Sequence, residues 1–173
     1  MKRLIFLLVI LGMTFGNVYA IRLESGSLIE LAEARVAKFE VDYSEAVIHG
    51  MSEDEFAQYE LDWDNDQYQI IAKFLGNLND RTGDNLMVAK GKETPLTLRW
   101  VVLWISTKGD IKGELHLVAE DGKILAKIVE LNGEGGSIGS KLNLIKDGAE
   151  DSGKRAGSFL KCLVSSIFCY FLL

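Results

Sequence analysis

A chain of 173 residues with 25 acidic against 19 basic side chains carries a net charge of −6, a sign that repels phosphate backbones and argues against nucleic-acid binding. Nor does this acidity give a reason to adhere to an anionic membrane surface. With 48% hydrophobic residues, a chain of this length buries about two-thirds of its unfolded surface as a single domain.

The first twenty residues carry a targeting signal. Met1-Lys2-Arg3 holds the only charges before Arg22, Leu4 to Phe15 is almost entirely apolar, and Gly16-Asn17-Val18-Tyr19-Ala20 ends small-x-small. That is the pattern of a secretory signal peptide cleaved after Ala20. Export is therefore expected, to a periplasmic or outer-envelope location. No cysteine follows the apolar segment, so no lipoprotein acylation site is present. Cys162 and Cys169 are the only cysteines. The body of the chain therefore lacks a disulfide framework. On one helix the two would lie on the order of 10 Å apart, beyond disulfide reach.

Arg22 to Ser27 reads as a short strand, followed by an Ala/Glu/Leu-rich stretch to Arg35. Ala37, Phe39, Val41 and Tyr43 alternate with Lys38, Glu40 and Asp42, the period of a strand with one buried face. His49-Gly50-Met51 is a turn. Ser52 and Glu55 form a capping box, and Phe56, Tyr59, Trp63, Ile70, Phe74 and Leu78 follow at helical spacing. One long amphipathic helix from Glu53 to Asn79 is predicted.

Pro95, the single proline, opens Leu96–Ile105. That run is apolar on both faces apart from Thr97 and Arg99, which predicts a central strand covered on both sides. Ile111–Ala119 and Ile124–Leu131 flank Asp121-Gly122, a type I′ hairpin signal. After Gly133-Glu134-Gly135-Gly136 a last helix starts near Ser140. Leu142, Ile145, Ala149, Ser152, Ala156 and Leu160 form its inward stripe, and close approach to the sheet would explain Gly148, Gly153 and Gly157. The expected fold is α/β (α+β-like), of order β-α-β-β-β-α. It has a mixed sheet of about four to five strands under two main helices. Residues 21–160 form the domain. Residues 161–173 form an apolar tail that the fold can close without.

Each candidate chemistry meets an objection. Asp62-Trp63-Asp64-Asn65-Asp66 opens like an EF-hand loop, but Gln67 and Lys73 stand where the turn glycine and the bidentate glutamate belong. Gly133–Ser140 lies between a strand and a helix, where phosphates are cradled. However, Ser140 separates Gly139 from Lys141, and Ile138 breaks a G-x-G-x-x-G match; a tight turn with positive φ is the simpler reading. His49 and His116 have no ligand spacing, and no G-x-S-x-G elbow exists. Arg99 needs an acid, with Glu114 or Glu130 the candidates, because an unpaired buried charge is very costly. Trp63, Trp100 and Trp104 fall in core elements and read as packing. No catalytic, metal-binding or cofactor-binding residue is assigned, and no cofactor is expected.

Several stretches resemble a family of small exported hypothetical proteins of Bacteroides-like bacteria. They are Phe39-Glu40-Val41-Asp42-Tyr43-Ser44, Gly50-Met51-Ser52-Glu53, Ile105-Ser106-Thr107-Lys108-Gly109 and, most specifically, Gly133 to Ala149. The resemblance covers residues 21–161 and implies a compartment and a fold, with no site residue. The end departs from that pattern, running from Phe159-Leu160-Lys161 into an apolar Cys162–Leu173. Spanning a bilayer takes about twenty apolar residues, more than this tail offers. Residues 160–173 are a candidate for membrane contact, a partner contact, the last piece of the core, or a frame-shifted end. The function these readings favour is an exported cell-envelope binding or structural domain with a protein or envelope-surface partner. The alternative is a hydrolase-like envelope enzyme with a site of Asp, Glu, Ser and Arg residues.

Overall fold

Eight strands form one mixed sheet in the computed structural model, which describes residues 20–171, with side chains as far as Ser166. The expected signal segment lies outside the described residues up to Tyr19. In chain order the elements are β1 (Arg22–Gly26), α1 (Ile29–Ala34), β2 (Val36–Asp42), β3 (Val47–Ile48), β4 (Met51–Ser52), α2 (Glu53–Tyr59), α3 (Trp63–Thr82), β5 (Met87–Ala89), β6 (Leu96–Ile105), β7 (Ile111–Ala119), β8 (Ile124–Gly133) and α4 (Lys141–Phe171). The sheet runs β1-β8-β7-β6-β2-β5; β3 adds to the edge of β6 beyond β2 and pairs with β4. β6 is parallel to β2 and β3, and β2 is parallel to β5, whereas the pairs β6–β7, β7–β8 and β8–β1 are antiparallel.

The mixed class agrees with the sequence, but the sheet is larger than the four to five strands expected, and β-α-β-β-β-α is not its order. The additional strands β3, β4 and β5 have two or three residues each, too few to show a period of two. His49 and Gly50, at φ 52° and 86°, form the tight turn between β3 and β4. Both central residues have positive φ there, as a type I′ turn requires. The Asp121-Gly122 turn differs from expectation. Only Gly122 has positive φ, and Ala119 donates to the Lys123 carbonyl at 2.9 Å. This is a type I turn closed by a glycine bulge.

The helix predicted over residues 53–79 is two helices, broken at Glu60-Leu61-Asp62. In a continuous helix Phe56 and Trp63 would sit two turns apart, about 10 Å. The break brings their rings edge to face at 5.0 Å and sets Trp63 against Tyr43 at 5.7 Å. Glu53 fastens the corner by accepting from Trp63 Nε1 at 3.4 Å and Gln67 Nε2 at 2.8 Å. The capping box of Ser52 and Glu55 is present at the start of α2.

α3 and α4 lie side by side on one face of the sheet. Phe74 of α3 stacks on Trp100 at 4.0 Å and on Phe39 at 5.6 Å, and Ile128, Leu131, Ile145 and Ala156 are buried in the same core. The glycines of α4 serve two neighbours. A Cβ on Gly148 would lie 2.0 Å from the Gly109 carbonyl oxygen, in the loop before β7. At Gly153 and Gly157 it would lie 2.3 and 2.5 Å from the carbonyl oxygens of Phe74 and Leu78. Those two glycines therefore face α3, where the sequence suggested the sheet. α4 also continues into the tail as far as Phe171. Val164 is 1% exposed and Leu163 packs on the core, while Lys161, Cys162, Ser165 and Ser166 face outward. The inward stripe thus continues one turn past Leu160. Among the described residues no helix is long and apolar enough to cross a membrane.

Candidate functional site

β6 occupies the centre of the sheet with one face covered and not two. Leu98, Trp100 and Val102 are buried towards the helices, whereas Thr97, Arg99 and Val101 are half-buried on the opposite face, which no helix among the described residues covers. Strand register puts Glu40, Arg99, His116 and Lys127 in one row across β2, β6, β7 and β8. Arg99 pairs with Glu40 at 3.2 Å, in place of the Glu114 or Glu130 expected. The physical reason is register: Glu40 lies directly opposite on β2. Glu114 is occupied by His116 at 2.9 Å and Lys127 at 3.1 Å, and Glu130 sits at φ 60° in an irregular part of β8.

Lys38 completes the row at 2.8 Å from Glu40, and Glu24 of β1 reaches Lys127 at 3.3 Å. The hydrogen bond from Lys38, with help from Arg99, holds the Glu40 carboxyl below the ordinary carboxylate range despite partial burial. Glu114 in turn holds Lys127 above the ordinary lysine range. These charges neutralise each other across five strands. Ion pairs this exposed each contribute about 0–1 kcal/mol; their effect is to keep this sheet face wet.

The candidates read from sequence are not brought together. Asp62, Asp64 and Asp66 lie at the start of α3. Burial, then repulsion by Asp62 and Glu60, raises the Asp66 carboxyl above its ordinary value. Among the described residues no group of three His, Cys, Asp or Glu could hold a metal. In the Gly133–Ser140 loop two amides that could cradle an anion are already taken. Glu134 donates to Asp151 at 3.0 Å and Gly135 to Asp110 at 2.9 Å. Of its glycines only Gly139 has positive φ. Gly135 is required for space, since a Cβ would lie 2.0 Å from the Lys108 carbonyl oxygen. His49 packs edge to face on Phe56 at 5.1 Å; burial, then the nearby Lys141, lowers its pKa. Trp63 and Trp100 are core residues, while Trp104 is half-buried beneath the Lys112 ammonium at 5.0 Å.

The feature missed in the sequence is a trough of about 910 Å³ where α1, the start of β6 and the β7–β8 turn meet. Its floor is apolar: Pro95, Leu96, Leu125, Ala34 and Ala119. Glu30 and Glu33 stand on the α1 bank; Glu120 and Asp121 stand on the bank formed by the turn. Among the described residues no lysine or arginine lines it, and none of the four acids makes an ion pair. Glu30 and Glu33 share a helix face because residues three apart are neighbours. That pairing is visible in the sequence. Their approach to Glu120 and Asp121 follows only from the strand order.

No family model matches the chain, and no curated protein matches it. Among solved structures, the chain is similar to the PelC dodecamer from Paraburkholderia phytofirmans. Identity is 11% over 79% of this chain and 97% of that one, with a TM-score of 0.42. A single-substitution variant of the same dodecamer gives 12% identity over 79% and 98% of the two chains, with a TM-score of 0.39.

Proposed function

We propose that this chain is an exported cell-envelope domain that works by binding a protein partner. The trough carries this reading. It is large and open. Its apolar floor can accept side chains from another molecule, and among the described residues its acids are not engaged by bases of the fold. The ionic row across the sheet supports the same reading, because its charged groups are engaged with one another. Export rests on the positive, apolar and small-x-small segments of residues 1–20.

The test has two parts, both in the native host. N-terminal sequencing of the protein from the envelope fraction should begin at Ile21. A photo-crosslinking residue at Ala34 or Ala119 should trap one defined protein, while the same residue at exposed Asn65 on α3 should not. Recovery of intact Met1 in the cytoplasm would overturn the export reading. Crosslinking no better than at Asn65 would overturn partner binding at the trough.

A further inference from the structure

The trough also specifies what kind of partner it takes. Its two banks present Glu30 and Glu33 opposite Glu120 and Asp121, with the apolar surface of Pro95, Leu96 and Leu125 between them. Four carboxylates around one cleft, with no base of the described fold among its lining, give it a negative potential. A cation entering the cleft is attracted by it. Arginine is well suited, because its planar fork donates to two carboxylate oxygens at once.

Charge alone does not use the floor. A polyamine would satisfy the banks and leave the apolar surface wet, and an anionic lipid surface would be repelled by the banks. A ligand that satisfies both must carry apolar groups between its cations. We propose that the trough docks a basic, amphipathic polypeptide segment of a partner protein, with its arginines or lysines on the acid banks and its apolar side chains on the floor. This rests on the partner-binding reading above and gives that partner its chemistry. Ile29 and Ile124, 42% and 51% exposed, neighbour the banks in sequence and offer further apolar surface at the margins.

The next concavity along the surface shares Pro95 and Glu120 and carries Lys38, Lys92 and Glu93. Lys38 is paired with Glu40 at 2.8 Å; Lys92 makes no ion pair among the described residues. With both signs present there, the segment's cations belong at the α1 end, where the lining is acidic alone.

A synthetic peptide with Arg and Leu at alternate helical turns serves as the probe. Two controls accompany it, one with every Leu changed to Ser and one with every Arg changed to Gln. Titrated into the isotope-labelled protein, the probe should shift the amides of Ala34, Leu96, Ala119 and Leu125. Fluorescence anisotropy should give roughly tenfold weaker binding for each control peptide. Raising salt from about 50 to about 500 mM should also weaken the probe.

The variant Glu30→Gln, Glu33→Gln, Glu120→Gln, Asp121→Asn should lose roughly tenfold in affinity. Its fold is retained, since the Lys123 amide, which donates to Asp121 at 3.0 Å, still finds a side-chain oxygen in the asparagine that replaces it. Neutralising exposed Glu45, Asp64, Asp80 and Asp84 in its place should change affinity less than about twofold. Equal losses in the two variants, or shifts mapped elsewhere, would overturn the proposal. So would a protein dimer seated in the trough, detected by sedimentation and abolished by the first variant. A probe that fails while host crosslinks still form at Ala34 would overturn the basic-segment chemistry and leave the partner-binding reading standing.

Discussion

Gly153 of α4 faces the backbone carbonyl of Phe74 so closely that a Cβ would lie 2.3 Å from its oxygen. Gly157, one turn on, faces Leu78 in the same way at 2.5 Å. Two parallel helices therefore meet backbone to backbone, and the sheet below supports both.

This contact separates two glycine substitutions that look alike in sequence. Gly76 lies within α3, and a Cβ added there would meet nothing within 4 Å, so Gly76→Ala should gain up to about 1 kcal/mol from helix propensity. Gly153→Ala gains the same propensity but drives a methyl into the Phe74 carbonyl. It should lose about 1–3 kcal/mol net through overpacking. Urea melts of both variants test this, and stabilisation by Gly153→Ala would show that the helices can move apart freely.

The legible parts of the fold are those written locally. Ala37, Phe39, Val41 and Tyr43 announce β2, Ile111–Ala119 announces β7, and Ser52 with Glu55 announces a helix start. What escapes depends on partners distant in the chain. The need of Arg99 for an acid is plain in the sequence, but only the parallel register of β2 and β6 selects Glu40. The helical period from Phe56 to Trp63 continues through the break because both rings turn inward in either case; ring-to-ring packing decides against the straight helix. The trough needs α1 and the β7–β8 turn on one edge, and no local pattern records that.

Asn79 gives β5 its place. Its amide donates to the Val88 carbonyl at 2.8 Å, and its carbonyl accepts from the Val88 amide at 3.0 Å. The side chain thus acts as one more strand residue. Asn79→Ala would leave both Val88 backbone groups unpaired, and Val88 is fully buried. A loss of about 1–3 kcal/mol is expected, with hydrogen exchange at Val88 accelerating more than at Leu115 in the sheet centre. Unchanged exchange at Val88 would show that β5 is held by its three pairs with β2 alone.

Two groups of carboxylates should give opposite pH signatures. Glu40 is held below its ordinary value chiefly by Lys38, Asp42 by Ser44, and Glu150 by Lys154 and Lys73. Their stabilisation is present above the unfolded pKa values and is lost as pH falls through the lower folded ones. Asp66 is raised, by burial first. Its protonated form is favoured in the fold, so that advantage is present below the unfolded value of 3.8 and is lost as pH rises through the folded one. Asp66→Asn should therefore raise Tm at pH 7, with the gain shrinking towards pH 3. Glu40→Gln should lower Tm at pH 7, with the difference also closing in acid. Melting curves across that range check both signs.

The turn of α4 just beyond Leu160 packs on the core. Val164 is 1% exposed, and Leu163 packs on the core beside it. The residues that face water in that turn are Lys161, Cys162, Ser165 and Ser166, and the Ser166 hydroxyl donates back to the Cys162 carbonyl at 2.8 Å. Over residues 161–166 the helix is thus amphipathic. Deleting Cys162–Leu173 removes Val164 and Leu163 and should therefore cost at least about 2 kcal/mol, the worth of one buried valine and a partly buried leucine. Leu160 and Ala156, both fully buried, stay in place and should keep the transition cooperative. Val164→Ala, which removes two methylene equivalents, should account for about 1.5 kcal/mol of that loss. Should the deletion melt like the full chain, Val164 would contribute nothing to the core, and the turn beyond Leu160 would be free to engage a membrane or a partner.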